Sequence, residues 1–245
     1  MNKTAHRLPA GCERVSHARL ERFADLERAS LRAATLTAEA LRRAALLRGR
    51  ASLALSGGST PGRFFELLSE QALPWNAVRV FWADERLTSL DAPLSNYRLA
   101  QKCFLSRVPV PRNNIHPLAG EGEPKQQAHA YEALLREAFP GENPPSFDVI
   151  HLGIGDDGHT ASLFPGQSAL FEQEHWVIPV EYAGAKPPLP RLTLTLPVLN
   201  AARLVIFLAC GPEKQRIAEQ ILSGQGEMYP ASFVRPAGEL VWLVA

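Results

Sequence analysis

Residues 51–61, Ala-Ser-Leu-Ala-Leu-Ser-Gly-Gly-Ser-Thr-Pro, decide how this chain folds. The apolar run Ser52–Leu55 predicts a buried strand, and the apolar positions between Phe64 and Leu68 predict a helix after the turn. The glycines allow backbone N–H groups to face a ligand, and Pro61 suits the first turn of a helix. Such a helix start favours an anion such as phosphate, although an ordinary strand-to-helix turn has the same pattern. No Gly-Lys-Ser/Thr follows, which excludes a Walker P-loop.

The alternation of strands and helices continues on both sides of this stretch. Upstream, apolar residues recur at helical spacing from Asp25 to Arg48, with Asp25 placed to cap the helix and Gly49 placed to end it. Downstream, apolar runs predict strands at 78–82, 147–152, 177–180, 191–196, 203–209 and 240–244, and helical spacing predicts helices at 126–139 and 213–222. This order predicts a Rossmann-like α/β fold, with a mostly parallel central sheet and helices on both faces.

Length and charge narrow the class of protein. The chain has 245 residues, 46% of them hydrophobic, which is enough to bury a core without disulfides or metals. No change of composition flanks the Pro187–Pro190 loop, so residues 1–245 are predicted to form a single domain. Lys and Arg number 26 against 25 Asp and Glu, and the net charge of +1 gives no reason to expect nucleic acid or an anionic membrane as a partner.

Cysteine usage and the N-terminal composition indicate a compartment. Cys12, Cys103 and Cys210 are far apart and form no Cys-x-x-Cys pair, which favours a reducing compartment and argues against a structural zinc site. The first residues lack the apolar core of a signal peptide, and the apolar run Leu204–Cys210 is too short to span a bilayer. The expectation is a cytoplasmic protein.

A second glycine-rich segment, residues 153–159 (Gly-Ile-Gly-Asp-Asp-Gly-His), follows the predicted strand at 147–152. Its glycines match the G-x-G-x-x-G fingerprint of dinucleotide-binding proteins, so a nicotinamide dehydrogenase is one alternative. However, Asp156 and Asp157 would place carboxylates where a pyrophosphate binds, and Pro165 interrupts the helix that should follow. The fingerprint therefore carries little weight by itself.

The same segment fits acid–base chemistry better. His159 lies at the carboxyl end of a strand, where an imidazole faces a ligand and can exchange a proton with it. Asp157 is close enough in sequence to orient the imidazole, while one of Asp156 and Asp157 is expected to cap a short helix. His151 lies inside the strand and is predicted to be core, and His116 is left undecided. The remaining histidines are predicted to lie on the surface: His6, His17, His129 and His175.

Two further sets of polar residues follow predicted strands. Asp84-Glu85-Arg86, with Asn96 ten residues after Arg86, supplies groups that bind hydroxyls and an oxyanion, although such a triplet is also common in solvated loops. Arg191 and Lys214 are surface charges if taken singly. Ligands bind at the carboxyl ends of strands in such sheets, so these cations are candidates to complete a phosphate site with the glycine turn.

Together these segments resemble the 6-phosphogluconolactonase family. The resemblance runs from about Ala51 to the C-terminal WLVA, in the family's order: SGGSTP, W-x-D-E-R followed by S-N, LGIGDDGHTASLFP, KPPLPRLTLT and G-P-E-K. The resemblance implies hydrolysis of 6-phospho-D-glucono-1,5-lactone to 6-phospho-D-gluconate, in the second step of the oxidative pentose phosphate pathway, without metal or cofactor. It implies a Rossmann-like sheet of the sugar-phosphate isomerase and deaminase type.

On this reading His159 activates a water, and Asp157 or Asp84 orients His159 or the water. The oxyanion is stabilised by Arg86 or by backbone N–H groups of the glycine loop, and the sequence does not choose between these two alternatives. A covalent route through Ser56 or Ser162 is disfavoured, since neither lies in a G-x-S-x-G elbow. The residues predicted to bind substrate are Ser56, Gly57, Gly58, Ser59, Thr60, Asn96, Gly155, Arg191 and Lys214.

Alternatives from other classes share the fold. A glucosamine-6-phosphate deaminase or sugar-phosphate isomerase would use the same site for proton abstraction. A non-enzymatic sugar-phosphate sensor usually carries a DNA-binding helix-turn-helix, for which the roughly 25 residues before the first long helix leave no room. A monomer or small homo-oligomer is expected, and the loops at Ala119–Pro124 and around Pro187 are candidates to close over substrate.

Overall fold

The computed structural model describes residues 18–118 and 122–245. The predictions for the N-terminal segment, Cys12, His6 and His17 lie outside the described residues, as does most of the tip of the Ala119–Pro124 loop. None of the described helices combines the length and the apolar composition needed to cross a membrane.

Nine strands and six α-helices occur in the described residues. The strands are β1 Ala18–Arg22, β2 Ala51–Leu55, β3 Val78–Trp82, β4 Asp84–Arg86, β5 Val149–Leu152, β6 Val177–Val180, β7 Arg191–Leu194, β8 Leu204–Ala209 and β9 Glu239–Val244. The helices are α1 Leu26–Arg48, α2 Gly62–Ser69, α3 Asn96–Cys103, α4 Pro124–Ala138, α5 Leu196–Asn200 and α6 Pro212–Leu222.

The central sheet is parallel throughout, in the order β1-β9-β8-β5-β2-β3. Every residue of β2, β5 and β8 is buried. Since successive side chains of a strand point to opposite faces, complete burial means that both faces of the sheet are covered. The predicted α/β fold with a mostly parallel sheet is confirmed.

The order of the strands determines where the sheet forms a ligand-binding crevice. From β2 the chain crosses to β3 on one side, whereas β5, β8 and β9 extend the sheet on the other side of β2. The connections that leave β2 and β5 therefore diverge, and ligands of such sheets bind in the crevice between them. The glycine-rich segments 56–61 and 153–159 both begin at this crevice.

Helix α1 begins and ends where the sequence predicts. The Asp25 carboxylate accepts a hydrogen bond of 2.8 Å from the Arg28 N–H, and Gly49 ends the helix in the left-handed conformation with φ of +69°. Its buried face is rich in alanine, so the helix packs closely on α2 and on the central sheet.

A second, smaller sheet differs from the prediction. Strands form at 177–180 and at 191–194, where the second ends two residues before its predicted end at 196. Both belong to an antiparallel sheet of order β4-β7-β6, in which β7 pairs with β4 and with β6. The reason lies in the connection, because residues 181–190 contain no helix and parallel neighbours need a crossover of about a dozen residues or more. Sequence analysis also missed β1, β4 and α3, which lack a long apolar run.

The predicted core position of His151 is confirmed: the residue is 1% exposed and its ring stacks on Phe64 at 4.4 Å between centroids. Burial lowers the pKa of His151 from 6.5 to about 3. Between these values the unfolded chain binds a proton that the folded protein excludes, so stability is present above pH 6.5 and is lost as the pH falls.

We expect His151→Leu to flatten this pH dependence. As the pH falls below 6.5, the unfolding free energy of the wild type should decrease more steeply than that of the variant, by up to about 1.4 kcal/mol for each pH unit. Urea unfolding of both proteins at pH 7 and pH 5 measures the difference. Equal slopes in the two proteins would show that His151 does not carry this linkage.

Candidate active site

A cleft of about 590 Å³ opens at the carboxyl ends of the central strands. All of the residues predicted to form the site line it, namely Ser56, Gly57, Gly58, Ser59, Thr60, Asp84, Arg86, Asn96, Gly155, Asp157, His159, Arg191 and Lys214. The structure therefore brings these residues together, while their individual roles stay predictions.

His159 and Asp157 form a hydrogen-bonded pair in the cleft. The Nδ1 atom of His159 lies 2.5 Å from Oδ1 of Asp157, and the backbone N–H of His159 donates to the same oxygen at 3.1 Å. Burial by itself would raise the pKa of Asp157, but the hydrogen bonds and charge of His159 outweigh burial and lower it. An ionised Asp157 holds the proton on Nδ1, which leaves the Nε2 lone pair of His159 free to take a proton.

Gly155 leaves the space that this pair occupies. A Cβ atom at Gly155 would lie 2.1 Å from Nδ1 of His159 and 2.7 Å from Oδ1 of Asp157. The backbone N–H of Gly155 also donates to the carbonyl of His159 at 2.9 Å, which closes the turn. Only a residue without a side chain fits here, so glycine at position 155 is needed for the observed position of the His159–Asp157 pair.

The dinucleotide fingerprint lacks its structural context. After Gly153–His159 the chain forms an isolated bridge between Thr160 and Leu163, and the next helical element is the short 3₁₀ turn Ser168–Phe171. A dinucleotide site needs a helix N-terminus directly after the glycines to bind the pyrophosphate. The dehydrogenase alternative is thus not supported by the fold.

Asp84 takes a different position from Asp157. It is buried at the end of the small sheet, where Oδ2 accepts from Ser162 Oγ at 2.8 Å and Oδ1 lies 3.4 Å from Asn96 Nδ2. Within the described residues its carboxylate makes no hydrogen bond to His159. Of the two carboxylates considered from the sequence, Asp157 is the one that contacts the base.

Arg86 and Arg191 are directly opposite each other on the antiparallel strands β4 and β7. Arg191 is 3% exposed, and Nη2 donates to the carbonyls of Lys186 and Pro187 at 3.1 Å each. Burial, with a contribution from the Arg86 charge, lowers the pKa of Arg191 although Asp84 acts in the other direction. Like charges directly opposite each other destabilise a sheet, and an anion bound beside both arginines would relieve this repulsion.

The glycine turn approaches Asn96 closely. A Cβ atom at Gly57 would lie 1.8 Å from Asn96 Oδ1, so only glycine allows this contact. Asn96 Nδ2 donates to the carbonyl of Asp84 at 2.8 Å, which fixes the amide and leaves Oδ1 as an acceptor at the cleft. Lys214 reaches the cleft from the first turn of α6.

Unsatisfied polar groups are concentrated in the cleft. Of ten buried side-chain nitrogen and oxygen atoms without a partner among the described residues, six belong to residues that line it. These are Ser56 Oγ, Arg86 Nε, Asn96 Oδ1, both ring nitrogens of His151, and Arg191 Nε. Because buried polar atoms are normally hydrogen-bonded, this concentration indicates a binding site for a polar ligand.

A family model described as glucosamine-6-phosphate isomerases/6-phosphogluconolactonase matches residues 24–242. The chain belongs to this family. The match confirms the resemblance predicted from the motifs, and it extends further toward the N-terminus than they do.

Relatives and solved structures of the 6-phosphogluconolactonase family support the assignment. The chain is 45% identical to a 6-phosphogluconolactonase of Synechocystis over 202 residues, which cover 80% of this chain and 82% of the relative. It is 40% identical to the human 6-phosphogluconolactonase over 204 residues, covering 80% and 79%. The crystal structure of 6-phosphogluconolactonase from Thermotoga maritima superposes with a TM-score of 0.83 at 30% identity, covering 93% of this chain and 99% of the other.

Sequence analysis missed an aromatic wall in this lactonase-family cleft. The Phe164 ring lies 4.7 Å from the His159 ring and 4.8 Å from the Tyr182 ring, and the Arg191 guanidinium carbon is 5.5 Å from its centroid. Phe164 stands in the quoted LGIGDDGHTASLFP motif, so its proximity to His159 could have raised it as a candidate. Lys186 is the first residue of the quoted KPPLPRLTLT motif, whereas Tyr182 lies outside every quoted motif; both line the cleft.

Proposed function

We propose that the cleft hydrolyses 6-phospho-D-glucono-1,5-lactone to 6-phospho-D-gluconate. The observation that carries the proposal is a hydrogen-bonded His159–Asp157 pair in the same cleft as the buried Arg191 and the half-buried Arg86, beside two glycine-rich turns. A base and an anion site in one cleft suit ester hydrolysis in a phosphorylated substrate. Family membership and relatives named 6-phosphogluconolactonase at 40–45% identity support a lactonase rather than an isomerase or deaminase.

In the first step a water attacks the lactone carbonyl carbon while His159 Nε2 takes its proton. Asp157, held ionised by its hydrogen bonds, stabilises the imidazolium that forms. The tetrahedral intermediate then breaks the bond between the carbonyl carbon and the ring oxygen, and His159 returns the proton to that oxygen. One water is consumed, and a carboxylic acid and a hydroxyl group are released.

Two sets of groups stabilise negative charge in this scheme. Arg86 or the backbone N–H groups of the glycine loop meet the oxyanion of the intermediate. The 6-phosphate is held by Arg191, Lys214 and the amides of Gly57, Gly58 and Ser59, with Ser56 and Thr60 beside them. Negative charge bound at Arg86 and Arg191 relieves the repulsion between these two residues, and Asn96 Oδ1 accepts a hydrogen bond from a sugar hydroxyl.

Removing Lys214 tests the phosphate site. We expect Lys214→Ala to raise KM for the phosphorylated lactone by about 10- to 100-fold with little change in kcat, because a charged hydrogen bond contributes about 1.5–3 kcal/mol. Lys214→Arg, which keeps the charge, is the control. Steady-state rates with phosphorylated and unphosphorylated gluconolactone give the comparison. Equal efficiency of the wild type on both lactones would contradict the assignment.

The activity itself is tested with freshly generated lactone. Because the lactone opens spontaneously, the readout is the initial rate above background, coupled to NADPH formation by 6-phosphogluconate dehydrogenase. Acceleration supports the proposal. Ammonia release from glucosamine 6-phosphate would favour a deaminase instead, and binding without turnover would favour a sensor.

We also propose the setting in which the protein works. It acts as one domain in the cytoplasm, as a monomer or small homo-oligomer, without nucleic acid or membrane partners. The net charge of +1 and the free cysteines Cys103 and Cys210 support this proposal.

A further inference from the structure

Glu85 is a buried carboxylate next to the cleft that the mechanism above does not use. It is 1% exposed and lies between two cleft residues, Asp84 and Arg86, yet its own side chain turns away from the cleft toward α3. Both carboxylate oxygens accept hydrogen bonds from the start of that helix, which packs beside β4.

The carboxylate accepts four hydrogen bonds. Oε1 accepts from the backbone N–H groups of Arg86 and Asn96, each at 2.8 Å. Oε2 accepts from the Tyr97 N–H at 2.7 Å and from the Ser95 hydroxyl at 3.0 Å. Three of the four donors are backbone N–H groups, which cannot accept, so they favour the ionised carboxylate. Burial and the nearby charge of Asp84 act in the other direction and raise the pKa of Glu85.

Helix α3 does not need Glu85 in order to begin. Ser95 already caps it, because its hydroxyl oxygen accepts a hydrogen bond of 3.1 Å from the Arg98 N–H. What Glu85 adds is a link between α3 and β4. The link determines where the first residue of the helix, Asn96, stands relative to the arginine of the strand.

Both residues that Glu85 ties together face the substrate cleft. Asn96 presents Oδ1 beside Gly57, and the Arg86 guanidinium is held by the carbonyl of Leu94 at 2.6 Å, in the segment that leads into α3. Moving the start of α3 would therefore displace a hydroxyl-binding amide and an anion-binding guanidinium together.

We propose that Glu85 is a positioning residue for catalysis, which fixes Asn96 and Arg86 in the cleft by anchoring the first turn of α3 to β4. It touches no substrate and acts through these two side chains. The inference rests on the proposed lactonase function, because it assigns Asn96 and Arg86 to that substrate.

Glu85→Gln tests the inference with minimal change of shape. The new amide group would direct N–H donors at two of the four existing donors, so the start of α3 must shift. We expect kcat/KM to fall by about 10²-fold, the effect of misplacing a catalytic group by roughly 1 Å. An unchanged kcat/KM would overturn the proposal.

Glu132→Gln is the matched control. Glu132 is also a buried carboxylate, which accepts from the Trp176 N–H and from Arg136, but it lies outside the cleft lining. We expect it to lower the thermal unfolding midpoint with little effect on kcat/KM. If both variants lose activity in proportion to their loss of stability, Glu85 is structural only and the proposal fails.

A double-mutant cycle distinguishes positioning from an independent effect. If Glu85 acts partly through Asn96, Glu85→Gln should lower kcat/KM much less in an Asn96→Ala background than in the wild type. Independent effects would instead multiply to within about twofold, which would contradict the inference.

Two further measurements keep the test decisive. Should Glu85→Gln not fold, Glu85→Asp keeps the charge and shifts the acceptors, and it should lower kcat/KM in the same direction. Calorimetry then measures the binding of 6-phosphogluconate to the wild type and to the Glu85 variants. Together with the rates, it distinguishes a failure of the positioning role from a failure of the proposed lactonase function. A wild type without lactonase activity refutes the proposed function, whereas active wild type with equal product affinity and kcat/KM in the Glu85 variants refutes the positioning role.

Discussion

His159→Ala should lower kcat by about 10²–10⁴-fold while KM stays nearly constant. The variant keeps the cleft and its cations but loses the Nε2 lone pair that takes the proton of water. Initial rates of lactone hydrolysis above the spontaneous background measure the effect. His129→Ala, which removes an exposed histidine of α4, is the matched control and should keep wild-type activity. If His159→Ala retains more than about a tenth of kcat, another group is the base.

Asp157→Asn extends the same test to the orienting carboxylate. An amide at this position no longer fixes the proton on Nδ1 and no longer stabilises the imidazolium, so kcat should fall in the same direction. Asp84→Asn provides the comparison, because Asp84 contacts Ser162 rather than the base. A larger kcat loss in Asp84→Asn than in Asp157→Asn would reverse the roles assigned to the two carboxylates.

Gly155→Ala should have the second largest effect, a loss of about 10²-fold in kcat from one added methyl group. That carbon would lie 2.1 Å from the Nδ1 atom of His159, so the imidazole and Asp157 must move away. The displaced base no longer meets the water in line with the carbonyl carbon, although the anion site is untouched. We therefore expect kcat to fall more than KM rises.

Gly62→Ala is the control for Gly155→Ala. Gly62 is a helical glycine of α2 around which a Cβ atom would meet nothing within 4 Å. It should keep wild-type kcat and be stabilised by about 0.5–1 kcal/mol. Thermal unfolding and initial rates of both variants decide the outcome. Equal kcat for Gly155→Ala and wild type would mean that the base tolerates displacement.

The central sheet and the contact between His159 and Asp157 could be predicted from the sequence because their signals are local. β8 is a continuous apolar run and β2 is apolar except for Ser52, and a glycine follows two residues after the end of each strand. His159 and Asp157 are two positions apart, so their contact follows from one turn of chain. Local patterns of this kind predict both the element and the neighbour.

The small sheet could not be predicted, since its pairing depends on residues that are distant in sequence. β4 is only three residues long and all three are charged, so it carries no apolar periodicity. Its partner β7 is apolar but gives no sign of which strand it joins. The role inferred for Glu85 also depends on this pairing, because only the fold brings α3 back to β4.

The need for Gly155 is a third kind of feature that the sequence hides. A glycine in a loop suggests a turn or a ligand contact, and sequence analysis assigned this one to substrate. That role stays a prediction; the structure adds that the space a Cβ atom would need at Gly155 is filled by the His159 and Asp157 side chains. The need for glycine arises because side chains two and four residues away leave no room for a Cβ atom. Such a requirement leaves no pattern in composition or spacing.

The antiparallel pairing of β4 with β7 has a consequence for how activity is acquired as the chain is made. The glycine turns, Arg86 and the base are all synthesised before Arg191, which joins Arg86 only when a distant strand docks. Contacts between distant segments form late, because closing a long loop must precede them. A nascent chain that has passed His159 but not Arg191 thus holds the proposed base without the proposed anion site. On the proposed function, we expect activity only after β7 has docked on β4.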